Sequence, residues 1–206
     1  VIVTISREYG AAGLGVADGV AAALGYELVS DALPATVADE LGASHDEVAA
    51  RAGAERPLSE RMLGSLEAGN PEAISTASPG PADPFDEDVR RGIERTLRER
   101  AKRGNVVILG RMANAVLAGM PDQVRVFLTS GRAWRIERLI ETFGFSRQQA
   151  EAELERVDAW RRKFARERYN VAWGDPRNYD LILDTSRFGI EATTRLIVAA
   201  VHAAER

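Results

Sequence analysis

The sequence predicts an α/β protein of three layers, with helices on both faces of a parallel sheet of about five strands. Three observations carry this. Short β-branched, apolar runs alternate along the chain with stretches of helical periodicity, and a small-residue turn, Gly10 to Gly15, directly follows the first run. The 206 residues, 45% of them hydrophobic, suffice for one domain with a substantial core.

Val1 to Ser6 reads as a buried strand. From Gly13 to Leu24 the apolar residues Leu14, Val16, Ala17, Val20, Ala21 and Leu24 recur at helical intervals, and Gly25 ends the helix. Tyr26 to Val29 is a second strand, closed by Ser30-Asp31. Val37, Leu41 and Val48 suggest two short helices, the second opened by the capping box Ser44-x-x-Glu47. Periodicity then weakens, and Ser75 to Pro84, with its prolines and serines, reads as a flexible loop. Asp86 to Lys102 is a charged amphipathic helix. Asn105 to Leu109 and Val124 to Thr129 are strands with a short helix between them. Ser130 to Thr142 and Ser146 to Arg168 are helices, the latter opened by Ser146-x-x-Gln149. Asp180 to Leu183 is the last strand, and Ile190 to Ala204 the last helix.

Composition removes several classes of function. Zero cysteines exclude thiol catalysis, thiolate zinc and iron-sulfur clusters and favour a cytoplasmic setting. A net charge of -4 argues against a globally basic nucleic-acid binder, and no apolar run is long enough to span a bilayer. The expected partners are therefore small molecules, with neither nucleic acid nor membrane. A homodimer is left open. His45 and His202 lie too far apart in sequence to suggest a histidine metal centre or triad.

In a parallel sheet, ligands gather at the carboxyl ends of the strands, where backbone amides above a helix N-terminus can hold phosphate. Gly10, Ala11, Ala12, Gly13, Leu14 and Gly15 occupy that place. A full phosphate-binding loop continues with Lys and a hydroxyl, but in the frame starting at Gly10 those positions hold Val16 and Ala17. A tight structural turn would also explain the glycines. A dinucleotide reading is open because Asp31 lies about 20 residues past the loop, although Gly10-x-x-Gly13-x-Gly15 is not the usual glycine order. Arg7, at the exit of the first strand, can supply the charge that the missing Lys does not. Arg111, immediately after a buried strand, puts a second cation at the same edge.

Ser6-Arg-Glu-Tyr-Gly10, Gly110-Arg111 and Trp173-Gly-Asp-Pro-Arg-Asn-Tyr-Asp180 resemble the cytidylate kinase-like family, a branch of the nucleoside monophosphate kinases. The resemblance implies a P-loop kinase-like core over 1–31 and 105–206, a lid near 156–175 and a helical acceptor-binding insert over 32–102. It also implies ATP as donor and Mg²⁺. Arg7 falls where the first loop glycine of ordinary cytidylate kinases lies and Gly13 where their Lys lies, with Leu14 and Gly15 around the Mg²⁺-binding hydroxyl. By the same resemblance Arg111 and Asp31 hold the acceptor, while Asp184 and Thr185 border the donor base. Leu109 and Met112 stand where ordinary cytidylate kinases carry acids that read cytosine, so cytosine selectivity is not implied.

Six of the thirteen positions from Arg156 to Arg168 are basic. Phosphoryl transfer depends on positioning and on neutralising charge over the transferred group, and mobile arginines are standard parts of that machinery. Arg162 and Arg166 share a helix face, with Arg161 beside them. The resemblance gives Arg161, Arg162 and Arg166 to phosphates and has Asp158 orient an arginine. The bland alternative is a solvated helix with ion pairs to Glu151, Glu153, Glu155 and Glu167. Arg132, Arg135 and Arg138, three residues apart, read best as a surface face. The expectation is a nucleotide-binding phosphotransferase, with a nucleotide-sensing or scaffold protein of the same fold as the alternative.

Overall fold

The computed structural model describes residues 1–30 and 84–205, with the isolated positions 37, 38, 44 and 48. Five parallel strands, β1 (Ile2–Arg7), β2 (Glu27–Val29), β3 (Val106–Leu109), β4 (Gln123–Thr129) and β5 (Leu181–Asp184), form one sheet in the order β2-β3-β1-β4-β5. The central strand is β1. It pairs Ile5 with Leu109 of β3 and Arg7 with Leu128 of β4, so the ends of all three strands meet along one edge.

The described helices are α1 (Gly13–Leu24), α2 (Pro84–Arg103), α3 (Ala113–Val116), α4 (Arg132–Phe143), α5 (Arg147–Tyr169) and α6 (Thr185–Ala204). Alternation along the strands sends Val3 and Ile5 into one core with Val107, Val126 and Leu128, where Val16 and Val20 of α1 and Ile197 and Val201 of α6 close over them. A second apolar cluster joins Ile136 and Leu139 of α4 to Leu154 and Val157 of α5, and the ring of Tyr9 is buried in it.

Several boundaries follow from side-chain chemistry. Gly25 ends α1 in the left-handed conformation and returns its N–H to the carbonyls of Ala21 and Ala22. Ser146 and Gln149 open α5 with a reciprocal capping box. The last helix begins at Thr185, five residues before the periodic run at Ile190. Its first turn is held by the Asp184 carboxylate, which accepts from the backbone of Ser186 and Arg187. Non-helical Gly189 separates that turn from the apolar stripe, so periodicity reports only the part after the kink.

The chain divides into two compact units, Val1–Ser30 with Leu97–Arg206, and Asp31–Thr96. In the second unit Val37, Ala38, Val48, Val89 and Ile93 are buried, and the Val48 N–H donates to the Ser44 carbonyl. Asp31, Leu41, Glu47 and the Ser75 to Asp83 part of the expected loop lie outside the described residues, while Pro84 already belongs to α2.

Candidate functional site

The site is built on the turn between β1 and α1. Ala12, left-handed at φ 55°, starts the helix and has no side chain with which to cap it. The first-turn amides therefore have no intrahelical acceptor and face the carboxyl edge of the sheet, where a helix N-terminus favours an anion. Across this end runs Arg7. A Cβ added to Gly13 would come within 2.7 Å of Arg7 Cγ and 3.2 Å of its Cδ, so the aliphatic stem lies directly on that glycine. The guanidinium reaches on to Gly110, whose hypothetical Cβ would collide with Nη1. Glycine is required at both places because the arginine fills the space above the backbone. Val16 and Ala17, by contrast, are fully buried in the core, which excludes a Lys-hydroxyl pair in the frame starting at Gly10.

The loop is gripped from the side of α4 and α5. The Tyr9 N–H donates to Asp158 Oδ1 at 2.9 Å, and Arg135 Nη1 donates to Asp158 Oδ2 at 2.6 Å and to the Tyr9 carbonyl at 3.3 Å. Both members of the Asp158–Arg135 pair are buried. Arg161 Nη1 donates to the Arg7 carbonyl at 2.9 Å, and its guanidinium lies 5.7 Å from the centre of the Tyr9 ring. Glu8 is fixed as well: its Oε2 accepts from Thr129 Oγ1 at 2.8 Å and from the Ser130 N–H at 3.0 Å. Arg135, expected on the surface, is instead an internal strut. Its signal was present in the sequence, since Arg135 stands four residues before Leu139 on the apolar stripe of α4.

At the end of β3 the backbone turns through three consecutive left-handed residues, Gly110 (φ 74°), Arg111 (φ 54°) and Met112 (φ 50°). Left-handed backbone at a non-glycine residue costs on the order of 1 kcal/mol and tends to cluster at ligand sites. The turn sets half-buried Arg111 beside the Arg7 guanidinium's resting place on Gly110. Thr185 is fully buried under the loop, with Oγ1 3.1 Å from the Ala11 carbonyl and 3.2 Å from Ser130 Oγ. Asp184, whose carboxyl is held below its ordinary range by the Ser186 hydroxyl and nearby amides, caps α6. Thr185 thus has a structural partner in the loop, while the partners of Asp184 lie in the first turn of α6. Leu14 and Gly15 are exposed.

Further along α5 the arginines diverge in environment. Arg162 and Arg166 are exposed and take no ion pair among the described residues. Two of the expected glutamates do pair within the helix, Glu153 with Arg156 and Glu167 with Lys163, while Glu151 and Glu155 turn to Arg132 of α4. The segment after the helix folds onto β4. Trp173 meets Phe127 edge-on at 5.2 Å, Tyr179 lies 5.0 Å from the same ring, and Asp180 takes the backbone and guanidinium of Arg125. Burial raises the Tyr179 hydroxyl above its ordinary range.

A helix-covered parallel sheet with a glycine loop between its central strand and first helix places the molecule among the P-loop kinases in fold. The chain belongs to the cytidylate kinase-like family, whose model matches residues 2–187. It is similar to the cytidylate kinase of Methanopyrus kandleri, 31% identical in an alignment of 122 positions that covers 55% of this chain and 63% of the relative. The cytidylate kinase of Halorubrum lacusprofundi is 32% identical, over 57% of this chain and 62% of its own. The matched stretch is less than two thirds of either relative's length. Among solved structures, an uncharacterized protein from Eubacterium ventriosum superposes with a TM-score of 0.68 at 20% identity, covering 98% of this chain and 99% of that one. Shikimate kinase from Bacteroides thetaiotaomicron superposes at 0.52 with 16% identity, covering 98% of each. At such identities the likeness concerns the fold alone. Among the described residues no helix is long and apolar enough to cross a membrane.

Proposed function

We propose that this chain is a nucleotide-binding phosphotransferase that moves the γ-phosphoryl group of ATP to a small acceptor, a nucleoside monophosphate being the leading class. The observation that carries this reading is the course of Arg7. Its stem lies on Gly13, where the family's usual lysine would originate, and its guanidinium extends along the sheet edge to Gly110. A cation is thereby returned to a loop from which the lysine is missing. The uncapped amides of α1 would hold the donor phosphates, and Arg7 would neutralise them with a planar fork suited to phosphate oxygens. Arg111 would hold the acceptor. Exposed Arg162 and Arg166 would swing onto the transferring group, where guanidinium charge matters most in the transition state. Thr185 would support the wall beside the donor base through the loop it braces, and Asp184 by capping α6 next to it.

Magnesium finds no built ligand set among the described residues. No group of three or more acidic or histidine side chains comes together there, and Leu14 and Gly15 stand where the family's hydroxyl would be. In this reading it enters with the nucleotide as counter-ion to the phosphates. The same feature favours a second reading, a nucleotide sensor that keeps the fold without turnover.

Calorimetry with ATP and a panel of nucleoside monophosphates, beside a coupled ADP-release assay, separates the two. Turnover on at least one acceptor is expected. Arg162→Ala should lower kcat at least tenfold while changing ATP affinity less than threefold, as expected for a contact made in the transition state. Tight binding with no turnover on any acceptor would assign the sensor role, and equal turnover in the variant would remove Arg162 from the machinery.

A further inference from the structure

The geometry points to Arg135 and Asp158 as positioning residues that set the shape of the phosphate loop, a role that deepens the phosphotransferase reading and rests on it for its consequence. Around Tyr9, both polar groups of one peptide segment are claimed by the same buried ion pair. Asp158 Oδ1 takes the N–H at 2.9 Å, and Arg135 Nη1 reaches the carbonyl at 3.3 Å while bonding Asp158 Oδ2 at 2.6 Å. The pair comes from two helices, α4 and α5, packed on each other through Ile136, Leu139, Leu154 and Val157. Tyr9 sends its ring into that same cluster. The backbone at Gly10 then turns left-handed at φ 78° so closely against α4 that an added Cβ would lie 3.2 Å from the Arg135 carbonyl and Cβ.

A buried ion pair is a poor way to gain stability, since apolar residues of similar volume serve as well or better. Its retention here coincides with a geometric task that apolar residues cannot perform. Only a fixed acceptor and a fixed donor can hold both the N–H and the carbonyl of Tyr9, and with them two successive peptide planes, and so decide where the following amides, Gly10 to Gly15, point. Arg161, one turn along α5 from Asp158, adds a third hold on the Arg7 carbonyl. The amino-terminal part of α5 is thereby pinned to the loop. Any swing of the lid arginines begins beyond Arg161, and Asp158 works on the loop without touching substrate.

The test uses the full chain with the double substitution Arg135→Met and Asp158→Leu, which replaces the ion pair by apolar volume; Glu8 loses Arg135 Nε at 3.7 Å but keeps its bonds to Thr129 and Ser130. Amide hydrogen exchange in the ligand-free protein is the first readout. Exchange at Tyr9, Gly10 and Ala11 should rise at least tenfold while Val126 and Leu128 in β4 stay within twofold of the parent. ATP affinity should fall at least tenfold, and Arg135→Lys with Asp158 intact should recover most of both effects. Unchanged exchange in the loop, or an equal rise in β4, would overturn the proposal, the latter by showing a general loss of stability. If the double variant does not fold, Asp158→Asn, which keeps an acceptor for Tyr9 but no charge, is judged by the same local exchange. Failure of the parent to bind ATP would sink the phosphotransferase reading alone, because loop exchange is measured without nucleotide.

Discussion

At the scale of the residue, the contact between Arg7 and Gly13 makes a sharp prediction. Gly13 is the first residue of α1, where alanine would ordinarily gain up to about 1 kcal/mol over glycine. Here the new Cβ would stand 2.7 Å from Arg7 Cγ, a methylene in the middle of the stem that cannot swing aside as a side-chain tip can. Gly13→Ala should therefore dislodge the guanidinium and weaken ATP binding at least fivefold in calorimetry. In an Arg7→Ala background the same substitution should cost less than twofold, since neighbours that act through one contact are not additive. Additive losses would show that Arg7 does not bind from this position. The small-residue turn and the place of Arg7 at the end of the strand before it were legible because an apolar run stops there and helical periodicity begins at Gly13. Arg135 was read as exposed because its spacing from Arg132 and Arg138 drew more notice than its place on the Leu139 stripe. Periodicity also says nothing about which distant carboxylate will meet it. The Asp158 partner is a property of how two helices pack, and no local pattern encodes that.

At the scale of the element, signals with a local mechanism transferred to the structure and those set by packing did not. The Ser146-x-x-Gln149 box is present with both reciprocal bonds, Gln149 N–H to Ser146 Oγ at 3.2 Å and Ser146 N–H to Gln149 Oε1 at 2.8 Å. Helix α1 ends at Gly25, the expected stop. The start of α6 was misplaced because capping by Asp184 needs no apolar periodicity. The Trp173 to Asp180 segment was the most specific part of the family resemblance, and its residues turn out to serve internal packing. Gly174, at φ 80°, lets the chain lie against Phe127, and Asp180 clips it to Arg125. A motif can therefore identify a family through residues that shape the chain's return from α5 to the sheet. Helix α5 carries both the loop clamp and the exposed arginines, so its entry should matter to stability more than to chemistry. Ser146→Ala should cost about 1 kcal/mol in urea unfolding, the usual value of an N-cap. ATP affinity should stay within twofold, and a larger change in binding than in stability would mean that the α5 entry communicates with the site.

At the scale of the whole molecule, the shifted ionisations predict a broad plateau of stability with loss at both extremes of pH. Arg125, mainly through its hydrogen bonds, holds the Asp180 carboxyl below its ordinary range against the opposing effect of burial. Arg177 holds Asp175 down at about 2, the Ser186 hydroxyl lowers Asp184, and Tyr26 together with His202 lowers Glu205. A carboxylate whose folded value lies below its unfolded one contributes fully above the unfolded value and loses that contribution as pH falls through the folded one. The acid limb should then run from about pH 4.5 down to about 2. Tyr26 acts in the opposite sense. Desolvation, with its bond to Glu205, pushes its hydroxyl up to about 12 from 10.0, so its share is complete below pH 10 and disappears as pH climbs towards 12. The Asp180 contribution can be isolated. With both partners about 40% exposed, Asp180→Asn should destabilise by only about 0.5–1 kcal/mol at pH 7. In urea unfolding that gap should be smaller at pH 2.5 than at pH 7, because the contribution of a lowered carboxyl is lost progressively as pH falls below its unfolded value. A gap of the same size at both pH values would mean that the side chain acts through neutral hydrogen bonding, and that the clip between β4 and the entry to β5 owes nothing to charge.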